Sequence, residues 1–284
     1  MAAASSSSNH HVRSASYPPN ANPVILKIEQ QLKKLRESEA SSTSPMQTIS
    51  IGLTGLAGLY KCVDDALNYL PLLQHHHNNT QVERLVNGSL KLLDACIASR
   101  EVVVRLKEAV GEVRLSNEKP REVSRYFFIR KEIVRNTKEL ALRLRQVEGE
   151  LIAENRELSH EESELIRAFR CVSIIHISVM ELLLQFLSSK PAKPSRFSLI
   201  SKMFIARSKE AEELPGGKGN ELRNADVALH AVILNEGDVG EKMVIVHKRL
   251  EGLEEGLREI ENGLSCISSQ LAKTRASLLN IVSF

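Results

Sequence analysis

No tryptophan occurs in this chain, and aromatic residues of all kinds make up only 4% of it. Glycine is scarce as well, at 14 of 284 residues, with 9 prolines. Strand-rich domains draw on aromatic and β-branched residues and on turn glycines. The shortages therefore argue against a sandwich or barrel and favour helix. The four cysteines, Cys62, Cys96, Cys171 and Cys266, have no second cysteine within four residues, which excludes zinc-knuckle and redox-pair spacings. Each falls in an apolar helical pattern and reads as a buried free thiol in a reducing compartment. An excess of one charge is also lacking. With 38 Lys and Arg against 35 Asp and Glu, the net charge of +3 is too small to imply nucleic acid by itself, and no nucleic-acid partner is expected.

Long hydrophobic runs are few. The opening "MAAASSSSNHHVRSASYPPNANP" lacks the apolar core of a secretory signal. Residues 1–23 read as a disordered Ser/Asn-rich tail, with a plastid-type transit peptide as the alternative because no acid precedes Glu29. Ser16, in "RSAS" after Arg13, is a candidate phosphosite for a basophilic kinase. The most apolar stretch, residues 171–187, contains His176, Glu181 and Gln185. It falls short of the roughly 20 apolar residues of a membrane span and reads as a buried bundle helix. The expected location is intracellular and cytoplasmic, with a plastid or the periphery of a membrane as alternatives.

What the chain does have is apolar residues at steps of three and four. Ile25, Ile28, Leu32 and Leu35 form one stripe, and Pro45 is placed for the first turn of a helix over 46–70. Further stripes run from Val82 to Val113 and from Val123 to Leu151, the latter with Arg130 and Thr137 in apolar register. Ser159 and Glu162 form a capping-box pattern before a helix reaching about Leu187, and a modest helix spans 222–235. The last stripe includes Leu250, Leu253, Leu257, Ile260, Leu264, Ile267 and Leu271 within a helix over 243–281, roughly 60 Å long. A stripe with a mean spacing of 3.5 residues requires a neighbour to supercoil against. Val244, Cys266 and Leu279 are expected to widen it. The partner is either other helices of this chain, which is the simpler solution, or a second copy, in which case these seven residues are an assembly seam. The fold class is thus all-α: an elongated bundle of five to six long helices with a coiled-coil-like C-terminal helix. It forms one domain over 24–284, carrying a flexible basic insertion at about 188–221.

The residue types that carry chemistry do not assemble into a recognisable pattern. His75, His76 and His77 are consecutive, whereas metal ligands on helices want spacings of three or four, so a solvated loop is expected. Gly52, Gly55 and Gly58 lack the strand and Lys-Ser/Thr of a phosphate loop and read as permitting close helix approach. Glu157 and His160 have Glu-x-x-His spacing once only, where a di-metal bundle needs it on two helices. No catalytic residue, metal or cofactor is expected, and the chain reads as a non-enzyme. The more informative segment is 190–209. Lys190, Lys193, Arg196, Lys202, Arg207 and Lys209 occur there without an acid. Phe197 and Phe204 are interleaved with them. Such a segment fits an anionic membrane surface or a partner's groove, or docks on its own bundle with solvated lysines.

Three stretches together resemble the plant-specific Bypass-related family: "GLTGLAGLYKCVDDALNYL" at 52–70, "VERLVNGSLKLLDACIASREVVVRLKE" at 82–108 and "GLSCISSQLAKTRASLLNI" at 263–281. "VRSASYP" in the tail is similar to a short basic-Ser patch near the start of such proteins. The resemblance covers about 24–283, with "GSLKLLDAC" and "KTRASLLNI" its most specific parts and 115–235 matching only as helical pattern. It implies an α-helical, non-enzymatic plant protein associated with root and shoot development, and it brings no catalytic or ligand residues. Asp64, Asp65 and Asp94 in these stretches are expected to pair structurally with Lys61, Lys91 or Arg275. The expected partner is an unidentified protein or a second copy of the chain, with an anionic membrane as the alternative.

Overall fold

A computed structural model describes residues 26–28, 30, 31, 33, 34, 37, 42, 44–69, 79–115, 119–154, 164–189, 220–234 and 239–282. Six helices carry the architecture: α1 (Pro45–Tyr69), α2 (Asn79–Leu115), α3 (Lys119–Glu154), α4 (Glu164–Leu187), α5 (Glu221–Leu234) and α6 (Val239–Val282). Helical residues between 26 and 37 precede them, and no strand occurs among the described residues. The fold is all-α. His75–His77, Glu157, His160, the Ser159–Glu162 pair, Ser16 and the whole of 190–219 lie outside the described residues.

The helix starts follow local chemistry. Ser44 caps α1: its Oγ accepts from the Gln47 amide at 3.2 Å, while its carbonyl accepts from the Thr48 amide at 3.0 Å. Pro45 then occupies the first helical position, where a missing N–H costs nothing. Asn220 does the same for α5, its Oδ1 accepting from the Arg223 amide at 3.1 Å. Once started, each helix is held by the face it buries.

Contacts between helices define a ring of four in the order α1, α6, α2, α4. Direction follows from which residues meet. Gly256 and Gly263 on α6 abut Met46 and Leu53 on α1, so both pairs advance by seven and the two helices run parallel. On the other side, α6 presents Glu261 to Arg100 and Lys107 of α2, and Glu254 to Arg114. These pairs advance in opposite senses, so α2 and α6 are antiparallel. α3 lies outside the ring against α2 and α4, and α5 packs on the N-terminal part of α6. α4 is long and apolar enough to cross a membrane by length and composition, but in the fold it is packed on α1, α2 and α3.

The C-terminal seam is satisfied inside the chain. Leu250, Leu253, Leu257, Ile260, Leu264, Ile267 and Leu271 are all buried against the same polypeptide, none more than 2% exposed. Each contributes roughly 1.5–3 kcal/mol by area, an upper bound because an unfolded chain is already partly compact. The face that could have joined two chains is therefore occupied by α1 and α2. Val244, Cys266 and Leu279 do not widen the seam as expected; all three are exposed because they project from the far side of the helix. For Gly58 the expectation of a close helix approach fails. A Cβ at Gly58 would meet open space, and the close approach is made by Gly256 and Gly263 instead.

Candidate functional site

Two sets of polar side chains converge inside the bundle. The first sits at mid-height, where α1, α2 and α4 meet. The His176 imidazole on α4 is fully buried between Tyr60 of α1 and Cys96 of α2. Tyr60 Oη lies 2.8 Å from Nδ1, and Cys96 Sγ lies 3.0 Å from Nε2. Burial pushes the imidazole pKa down to about 3 and the thiol up to about 12, and holds the phenol well above its usual value. All three are neutral near pH 7. A neutral imidazole has one N–H and one lone pair, so the chain of bonds runs one way. Either Tyr60 donates to Nδ1 while Nε2–H donates to the sulfur, or the thiol donates to Nε2 while Nδ1–H donates to the phenol oxygen.

This chemistry is restrained. A nucleophilic cysteine needs its thiolate, and burial keeps Cys96 protonated. Tyr60 and Cys96 hold opposite ring nitrogens, so they do not converge on a point where one ion could sit. Among the described residues no group of three His, Cys, Asp or Glu side chains is arranged to hold a metal. The expectation of four buried thiols holds for Cys62 and Cys96 but fails for Cys171 and Cys266, which lie off the stripes and are exposed.

The second set lies at the end of the bundle that holds Ser189 and Asn220. Arg130 on α3 is completely buried. Its Nη1 donates to the Leu187 carbonyl at 2.9 Å and its Nη2 to the Ser189 carbonyl at 2.7 Å, closing off the C-terminus of α4. Its Nη2 also pairs with Asp226 Oδ2 of α5 at 3.2 Å, and the Tyr126 hydroxyl donates to Asp226 Oδ1 at 2.7 Å. Ser189 and Asn220 also meet at one spot: Ser189 N and Asn220 Nδ2 donate to the same Phe186 carbonyl, at 3.3 and 3.2 Å. Nearby, His230 of α5 stacks on Phe127 at 4.0 Å. Glu221 Oε1 accepts from the Met46 amide at the start of α1. At the opposite end, a small recess lined by Leu67, Val82, Leu85, Leu165, Phe169 and Leu278 is apolar on nearly every side.

Two of the aspartates named from sequence, Asp64 and Asp65, find other partners. Asp65 pairs with Lys27 at 3.6 Å, Asp64 accepts from Ser277 Oγ at 2.7 Å, and Lys91 pairs with Glu150 at 2.6 Å. The basic residues Lys190, Lys193, Arg196, Phe197, Lys202, Phe204, Arg207 and Lys209 lie outside the described residues.

The family model described as Protein BPS1 matches residues 52–281, from within α1 to the end of α6 but for its last residue. The chain belongs to this plant Bypass-related family. A search of curated proteins and a search of solved structures gave no match. Tyr60, Cys96, Arg130, His176 and Asp226 all fall within the part of this Bypass-related chain that the family covers. Sequence reasoning did not single them out as sites. The available signal was Arg130 in apolar register, and His176 as the polar interruption of the most apolar run.

Proposed function

We propose that this Bypass-related protein acts by binding rather than by catalysis, as a helical interaction protein in the cytoplasm serving root and shoot development. The observation behind this reading is that the side chains best suited to chemistry, Tyr60, Cys96 and His176, are neutral, fully buried and bonded to one another. What the bundle offers a partner is therefore the outer faces of long rigid helices. The developmental role follows the family.

Rescue of a plant line lacking the chain tests it. Wild type and a folded Cys96→Ser variant should restore root and shoot growth equally. A folded Cys96→Ser protein that fails to rescue would point to chemistry at the sulfur and end the binding reading.

A second reading is peripheral membrane association through 190–209. Its support is the charge of that segment, together with the meeting of its two flanking residues, Ser189 and Asn220, at a single carbonyl at one end of the bundle. Charge reversal at Lys202 and Arg207 should abolish vesicle binding on this reading; unchanged binding would remove it.

A further inference from the structure

α3 carries two stripes, not one. The inward stripe runs through Tyr126, Arg130, Ile133, Thr137, Leu140 and Leu144, all buried. On the opposite side, Phe128, Lys131, Arg135, Lys138, Leu142 and Arg145 repeat at the same alternating steps of three and four, and every one is exposed. Phe128 and Leu142 are 63% and 65% exposed, far beyond what a core-facing helix needs to show water. The four cations make no ion pair among the described residues. The acids nearest the ridge, Glu132 and Glu139, border it at three and four positions from Phe128, Arg135 and Leu142, but both are already engaged by other cations. Glu132 pairs with Arg105, Glu139 with Arg143 and Glu150 with Lys91, each at 2.6 Å. The outer ridge is thus left with positive charge and apolar anchors, and no acid falls on it over 128–145. α3 packs on α2 and α4, and near its start meets α5 through Tyr126, Phe127 and Arg130, while the six ridge residues stay uncovered by the described chain.

We propose that the outer ridge of α3 docks on an anionic lipid surface. The two large apolar side chains are fourteen residues apart, about 21 Å along the helix, with cations between them. A protein–protein interface concentrates apolar residues at its centre and excludes lysine there, and this spacing does the reverse. A phosphate backbone would use the cations but has no place for Phe128 and Leu142. A bilayer interface uses both: the rings and methyls enter the headgroup boundary while the Lys and Arg stems lie alongside and carry their charges to the lipid phosphates. The inference goes beyond both readings given above and uses none of the residues of 190–209.

The test is flotation of the full-length chain with phosphatidylcholine vesicles, with and without phosphatidylserine. Wild type is expected to float with the phosphatidylserine vesicles and not with the neutral ones. The triple variant Lys131→Glu/Arg135→Glu/Lys138→Glu should lose on the order of a hundredfold in partitioning, at about fivefold per cation. Phe128→Ser/Leu142→Ser should lose roughly tenfold. All changes are at exposed positions, and circular dichroism melts of the variants should overlay wild type. Equal flotation of the folded triple variant and wild type overturns the proposal. So does loss of binding in Lys202→Glu/Arg207→Glu with the triple variant unaffected, which assigns the contact to 190–209. Failure of wild type to float on either vesicle also overturns it; retention on an acidic polypeptide column, sensitive to the triple change, would then assign the ridge to a protein.

Discussion

His176 shows how one side chain couples the fold to pH. Its pKa is lowered by burial to about 3 in the folded chain and returns to about 6.5 on unfolding. Between those values the unfolded state binds a proton that the folded state refuses, so stability falls as pH drops from about 6.5 toward 3. Glu261 adds in the same direction, because its hydrogen bond from Lys107 holds its carboxyl below the usual range and that contribution is lost on protonation. A His176→Gln variant should be less stable near pH 7 by about 1–3 kcal/mol, since Tyr60 and Cys96 lose a matched partner. It should also show a much flatter loss of stability between pH 6.5 and 4. Urea melts across that pH range decide it; a variant with the full wild-type slope would show that His176 is not the group being titrated. Arg130 makes a contrasting case. Removing its charge in Arg130→Met strands Asp226 and the carbonyls of Leu187 and Ser189, at a cost of about 3–5 kcal/mol. Arg130→Met/Asp226→Leu removes both buried charges, and in the same melts it should recover part of that loss.

At the level of elements, the contact of α1 with α6 depends on two glycines that differ in kind. A Cβ on Gly256 would collide only with the far end of Met46, a flexible side chain that can swing away. A Cβ on Gly263 would come within 2.9 Å of Leu53 Cβ, which moves only if the backbone of α1 moves. Replacing glycine by alanine in a helix is worth up to about 1 kcal/mol by propensity. Gly256→Ala should therefore be neutral or stabilising, whereas Gly263→Ala should lower stability by about 1–3 kcal/mol through overpacking. Thermal melts that rank the two the other way would mean the helices are not held at this distance. The helices themselves were legible in the sequence, because the stripe of α6 and that of α3, Arg130 included, state which side each buries. Their mutual arrangement was not. Gly256 and Gly263, which meet α1 closely, are on α6, whereas a Cβ at Gly58 of α1 would meet open space, and nothing in a linear pattern says which of two glycine-bearing helices closes on the other. The polar contacts were illegible for a related reason. Tyr60, Cys96 and His176 are separated by 116 and 80 positions along the chain, and each by itself looks like a tolerated polar atom in an apolar stripe.

For the whole molecule, the decisive fact is where the longest stripe ends up. A 44-residue helix with twelve apolar or near-apolar seam positions could pair with its own copy, but in this fold α1 and α2 cover it from both sides. The ion pairs add register to that packing. Arg100, Lys107 and Arg114 repeat at seven along α2, and Glu261 and Glu254 answer them at seven along α6, the arrangement by which flanking charges select a partner and its direction in coiled coils. A second copy would have to displace α2 and break these pairs before it could reach Leu257 or Leu264. Light scattering over a dilution series should accordingly give the mass of a single chain, 31.6 kDa, at every concentration. Leu257→Asp, a charge in a position with no exposure, should unfold the chain rather than yield a folded monomer from a dimer, because the side chain it replaces holds the intramolecular core. The alternative makes the opposite prediction for both experiments: a concentration-dependent mass that doubles, and a Leu257→Asp protein that keeps its helical circular dichroism while losing half its mass. The two results cannot both be obtained from one chain, so a single purification and one variant decide whether any partner meets this protein on its seam or on the outer faces of its helices.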